Sequence, residues 1–200
     1  MIGILAYGSL IDEPGDDLDA VIVRRIYDVE TPFKVEFARS SQKRGGGPTL
    51  VPVEEGGAKV DAALLILDSE VPLLHAKTLL WWREKGEKKG IYTHPKNPRL
   101  NQVVVECLDQ FAGLDTVLYA RIGANIDTLD PHELAKLAIN SVNSEEGADG
   151  NDGISYLINA KNNHIVTPLM EGYEKRILEL TSTTSLEDAL KRVREKNMKV

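Results

Sequence analysis

The sequence predicts an α+β protein. Strand-like segments, short and either wholly apolar or alternating, dominate the first 125 residues, with Gly and Pro between them. From Asp130 onward the apolar residues recur at helical spacing instead. The 200 residues suffice for one sizeable core, or for a domain with an appendage. There is no internal repeat and no low-complexity tract.

"IGILAY" near the N-terminus reads as a strand buried on both faces, because it is apolar without alternation. In "DEPGDDLDAVIVRRI", Leu18, Val21, Ile22 and Ile26 share a helical face behind an acidic start, while the β-branched "VIV" also allows a strand. "PFKVEFAR" alternates, with Phe33, Val35 and Phe37 on one side and Lys34 and Glu36 on the other, which predicts a half-buried strand. "SSQKRGGGP" is a loop. "TLVPV" and "AKVDAALLIL" flank "EEGG" and read as a hairpin, with Pro52 pushing its strand toward an edge. Residues 70–85 read as a helix with Leu73, Leu74, Lys77, Leu80, Trp81 and Glu84 on one broad face. "NQVVVECL" and "TVLYARI" are two further strands. In the C-terminal part, Asp130 before Pro131 suits a helix start, "SEEGADGNDG" is a loop, and three more helical segments follow, the last with Ser185 as N-cap.

The net charge of −7 argues against a general nucleic-acid or membrane-surface binder, although Arg39, Lys43 and Arg44 form a small basic patch. No apolar run reaches the length of a membrane-spanning helix. Met1 is followed at once by strand-like residues, which predicts a cytoplasmic chain without a secretory leader. Cys107, the single cysteine, lies among apolar neighbours and reads as a small buried side chain. His75, His94, His132 and His164 show no metal-ligand spacing. Neither a phosphate-binding loop, a dinucleotide fingerprint nor a nucleophile elbow is present.

Two places carry candidate chemistry. A strand that ends on Tyr7-Gly8-Ser9 exposes backbone N–H groups where glycine lets a ligand approach and serine adds a hydroxyl, a setting that suits a carboxylate or phosphate. A plain turn is the alternative. Glu84 shares a helical face with Leu80 and Trp81 near the helix end, where a carboxyl can act as general base and then general acid. Its alternative is a solvated acid pairing with Lys88 at spacing 4.

Together these features resemble the γ-glutamylcyclotransferase-like superfamily, including its ChaC-like branch. The residues that carry the resemblance are Tyr7-Gly8-Ser9-Leu10 in the first strand, "RSSQKRGGGP", "TLVPV" and "VDAALLIL" in the middle, Arg83-Glu84 and Tyr92 in "WWREKGEKKGIY", and Tyr119 in "TVLYARI". They span roughly residues 2–125, more than half of the chain. Asp61 and Ala62 stand where the family usually has a glycine, and the stretch from Glu84 to Tyr92 is longer and more charged than the family's.

The resemblance implies a mixed β-sheet or partly closed barrel with flanking helices. It places the γ-glutamylcyclotransferase-like core in residues 1–125, with 126–200 as a helical extension packed on it. It implies a small-molecule γ-glutamyl substrate, no cofactor and no metal. The Tyr7–Leu10 turn would hold the glutamyl α-carboxylate and help polarise the reacting carbonyl, and Glu84 would be the catalytic acid/base. Tyr92 and Tyr119 would line the substrate, with Arg39 or Arg44 binding its remainder. Two other readings stay open: a non-catalytic binding module for a carboxylate-bearing γ-glutamyl metabolite, and a regulatory or structural protein that uses its C-terminal helices for contacts.

Overall fold

The computed structural model describes residues 1–197. In chain order its elements are β1 (Ile2–Ala6), α1 (Asp16–Asp19), β2 (Ile22–Glu30), β3 (Lys34–Ser41), β4 (Gly47–Val53), β5 (Asp61–Leu67), α2 (Leu73–Lys85), β6 (Val104–Phe111) and β7 (Leu114–Arg121). Five helices follow: α3 (Pro131–Val142), α4 (Glu145–Ala148), α5 (Gly153–Asn162), α6 (Met170–Thr181) and α7 (Leu186–Asn197). Short 3₁₀ turns occupy Gly8–Leu10 and Gln42–Arg44. The α+β class of the sequence reading holds. Among the described residues no helix is long and apolar enough to cross a membrane.

The chain forms two compact units, and neither is continuous in sequence. One comprises Met1–Pro32 and Asp61–Gly123, the other Phe33–Val60 and the chain from Ala124 onward. Residues 33–60 thus group with the C-terminal helices rather than with the first strands.

The first unit is an open five-stranded mixed sheet in the order β2-β5-β1-β7-β6. β1 runs antiparallel to β5 and parallel to β7. Ile4, Leu5 and Ala6 are wholly buried, as a strand flanked on both sides requires. β2 and β6 end the sheet, so it does not close into a barrel. The expected "TLVPV"–"AKVDAALLIL" hairpin is also absent. β5 carries the run Ala62–Leu67, buried throughout, and takes a central place between β2 and β1. β4, with Pro48 and Pro52 unable to donate to a ladder, pairs with β3 alone.

The helical alternative for residues 18–26 is overturned as well. Helix α1 stops after one turn, and the β-branched residues beyond it pair with β5. β6 and β7 join through Ala112-Gly113, both at positive φ, in the two-residue hairpin that matches strand twist. Cys107, on the edge strand β6, is exposed rather than buried. Helix α2 buries Ala76, Thr78, Leu79 and Leu80, and leaves Leu73 and Leu74 exposed, so its buried face is rotated from the predicted one.

In the second unit the β3–β4 ribbon packs with α3 and α5, and α3 with α6. Phe37 sits edge-on to Tyr156 and Tyr173, with ring centroids at 6.1 and 5.4 Å. Asp130 caps α3 by accepting from the His132 and Glu133 N–H groups, and Ser185 Oγ accepts from Asp188 N at 3.1 Å, both as the sequence predicts. Inside the expected acidic loop, Ser144 caps the one-turn α4. Glu36, expected opposite the buried side of its strand, is itself fully buried.

Candidate functional site

β1 gives way at Tyr7, still extended, to the Gly8–Leu10 turn. Gly8 has φ of 62°, a left-handed value that costs any side chain, and so the strand ends on glycine. Ile11 N–H closes onto Gly8 O at 3.2 Å and Glu13 N–H onto Ser9 O at 2.9 Å. The first N–H groups of such a turn have no partner within it, which makes them donors for an incoming anion. Gly8 and Leu10 are buried, whereas Tyr7 and Ser9 are half-buried. Leu10 therefore anchors the turn through its apolar side chain, and Ser9 presents the hydroxyl.

The turn lies at the C-terminal ends of the parallel pair β1 and β7. Tyr7 donates its phenol proton to Ala120 O at 2.7 Å. Ala120 pairs with Val105 on β6. The Tyr92 phenol closes on Val105 in turn, accepting from its N–H at 3.0 Å and donating to its C=O at 3.1 Å. His94 Nδ1 lies 3.1 Å from the same oxygen. Tyr7 and Tyr92 thus meet one row across the sheet although 85 residues separate them. Tyr119, opposite Glu106 in the β6–β7 ladder, is half-buried. Burial, helped by Glu106, raises its phenol pKa, and burial likewise raises that of Tyr92.

Glu84 stands in the last turn of α2, before Gly86 ends the helix in the left-handed region. Its Oε1 receives Arg83 Nη1 at 2.6 Å. The same guanidinium donates through Nη2 to Ser9 Oγ at 3.1 Å, and through Nε and Nη2 to Glu13 O at 2.9 and 2.8 Å. Arg83 therefore joins the Tyr7–Leu10 turn to Glu84. The alternative pairing with Lys88 does not form: helix α2 stops at Lys85, and Lys88 Nζ meets Asp17 at 2.5 Å.

The first unit thus brings Tyr7, Gly8, Ser9, Leu10, Glu84, Tyr92 and Tyr119 into one compact body. Arg39 and Arg44 belong to the second unit. There, burial lowers the Arg39 pKa, and the Arg44 guanidinium stacks 4.6 Å from the centre of the Tyr156 ring. Sequence reasoning missed the role of Arg83. Neighbours at i and i+1 on a helix do not face each other, so the pattern offered no signal that long side chains would meet. Among the described residues no three His, Cys, Asp or Glu side chains gather as a metal site would require. No family model matches the chain, and no curated protein matches it.

Proposed function

We propose that the chain is a γ-glutamylcyclotransferase-like enzyme that releases 5-oxoproline from a γ-glutamyl compound. The observation that supports this most is the guanidinium of Arg83, which reaches both Ser9 in the strand-end turn and the Glu84 carboxyl. Two stretches of sequence, each a weak signal alone, are thereby joined by one side chain.

In this reading the turn binds the glutamyl α-carboxylate through its N–H groups and the Ser9 hydroxyl. Glu84 takes a proton from the α-ammonium. The freed amine attacks the γ-carbonyl of the same molecule, so the γ-carbon gains a bond to the ring nitrogen and loses its bond to the leaving nitrogen. The ring nitrogen releases to solvent the second proton that it carries after the attack, Glu84 returns its proton to the leaving nitrogen, and an amine or amino acid departs. The attacking and leaving groups share one molecule, so folding the substrate correctly supplies much of the acceleration.

The test is 5-oxoproline release from a panel of γ-glutamyl amino acids, glutathione and γ-glutamyl amines, with Glu84→Gln beside the native chain. Native release that falls by about 100-fold or more in a folded Glu84→Gln variant supports the assignment. Full turnover in that variant would refute Glu84 as the acid/base. A second reading, a non-catalytic module for a carboxylate-bearing γ-glutamyl metabolite, is favoured by the Arg83–Glu84 ion pair, which can brace the turn without doing chemistry. Binding of a panel member without release of 5-oxoproline identifies that case.

A further inference from the structure

Resting on the cyclotransferase reading, we propose that Arg83 is the positioning residue of the site, setting Glu84 as its proton acceptor and Ser9 as its hydroxyl donor. Three features carry this. First, the guanidinium is anchored independently of either partner, with two of its nitrogens on the Glu13 carbonyl. Its stem passes beside Gly15, where a Cβ would lie 3.7 Å from Arg83 Cγ. The side chain is only 17% exposed, so the fork stays in place before any substrate arrives.

Second, Nη1 holds Glu84 Oε1 at 2.6 Å. A glutamate at the end of a helix has three side-chain torsions to order, and a fixed guanidinium restricts them to the arrangement used in the reaction. Third, Ser9 Oγ accepts from Nη2, which leaves the hydroxyl proton to be donated elsewhere. One planar group with five N–H donors thereby sets the hydrogen-bonding roles of Ser9 in the turn and of Glu84 on α2. A lysine keeps the charge but lacks the fork, so it can serve one partner at a time in fixed geometry.

The experiment compares native chain, Arg83→Lys and Arg83→Ala in 5-oxoproline release, with thermal unfolding of each recorded alongside and guanidinium chloride added at low, non-denaturing concentration. The expected result is a kcat lower by about 10- to 100-fold in both variants, with KM changed less than about threefold. Added guanidinium should recover part of the kcat of Arg83→Ala and leave Arg83→Lys unchanged. A folded Arg83→Lys variant with native kcat overturns the proposal while the cyclotransferase reading stands. A loss that sits in KM overturns it too, since Arg83 would then bind the ground state. Should Arg83→Ala fail to fold, the Arg83→Lys kinetics decide alone. A native chain that releases no 5-oxoproline from any panel member fails the reading beneath, and the proposal falls with it.

Discussion

Glu36 offers the sharpest test of how the second unit is held together. Its side chain is fully buried. Oε1 accepts from Phe37 N at 2.8 Å and from Thr167 Oγ1 at 2.6 Å, and Oε2 accepts from Leu169 N at 3.1 Å. One carboxyl thus ties β3 to the segment that leads into α6. Glutamine keeps a single acceptor oxygen. If that oxygen serves Phe37 and Thr167, the amide NH₂ is turned toward the Leu169 N–H, a donor against a donor. Each buried donor left without an acceptor costs about 1–3 kcal/mol, so Glu36→Gln should lose about that much. Glu36→Met, with no acceptor at all, should lose two to three times more. The assay is urea unfolding followed by far-UV ellipticity, which the helices of this unit dominate. With a urea slope of about 2 kcal/mol per molar, the glutamine variant's midpoint should fall by roughly 0.5–1.5 M with the slope unchanged. A glutamine variant that unfolds at the native midpoint, or no difference between glutamine and methionine, would refute the reasoning.

Gly8 sits at φ of 62°, so Gly8→Ala should destabilise by about 1–2 kcal/mol, and Gly8→Asn by less, because asparagine tolerates that region. Both tryptophans, Trp81 and Trp82, lie on α2 in the same unit as Gly8, and their fluorescence in a urea titration reads the order; alanine equal to or better than asparagine contradicts the turn geometry. Asp130 has its pKa lowered, first by the Glu133 N–H and then by the His132 N–H and nearby positive charge. A folded pKa below the unfolded one favours the ionised folded form. Its contribution is present above the ordinary carboxylate range and is lost as pH falls through the folded pKa. Asp130→Asn caps the helix without titrating, so the gap in thermal midpoint between native and variant should narrow on going from about pH 6 to about pH 2; a gap that does not change with pH would sink the idea.

What the sequence revealed and what it hid divide along local and non-local physics. β1, β3, β6, β7 and the long C-terminal helices were legible because period and caps are local properties, and Asp130 and Ser185 cap as read. The partner of a strand is not local. "TLVPV" and "AKVDAALLIL" look like neighbours across "EEGG", yet the apolar β5 is drawn into the five-stranded sheet and β4 turns back on β3. The same limit misplaced Glu36, whose alternation is sound for a half-buried strand and fails because donors from Phe37, Thr167 and Leu169 satisfy its buried carboxyl. It also hid the exposure of Cys107 on β6, two residues beyond the buried Val105. At the site, the Tyr7–Leu10 turn and Glu84 were legible as separate motifs, but the guanidinium that joins them was not.

The phenols of Tyr7 and Tyr92 make main-chain hydrogen bonds in the same unit. A phenol has one proton. The Tyr92 hydroxyl gives it to Val105 O while accepting from Val105 N, so His94 Nδ1, 3.1 Å away, pairs with it only as an N–H donor. Tyr7 spends its proton on Ala120 O. Both hydroxyls therefore splice strand ends. Polar groups at the turn include its own N–H groups, the Ser9 hydroxyl and the Arg83–Glu84 pair. Recognition built on main-chain donors needs a backbone held in one conformation, and that conformation is what Gly8, the Tyr7–Ala120 hydrogen bond and the Arg83 fork each constrain from a different side.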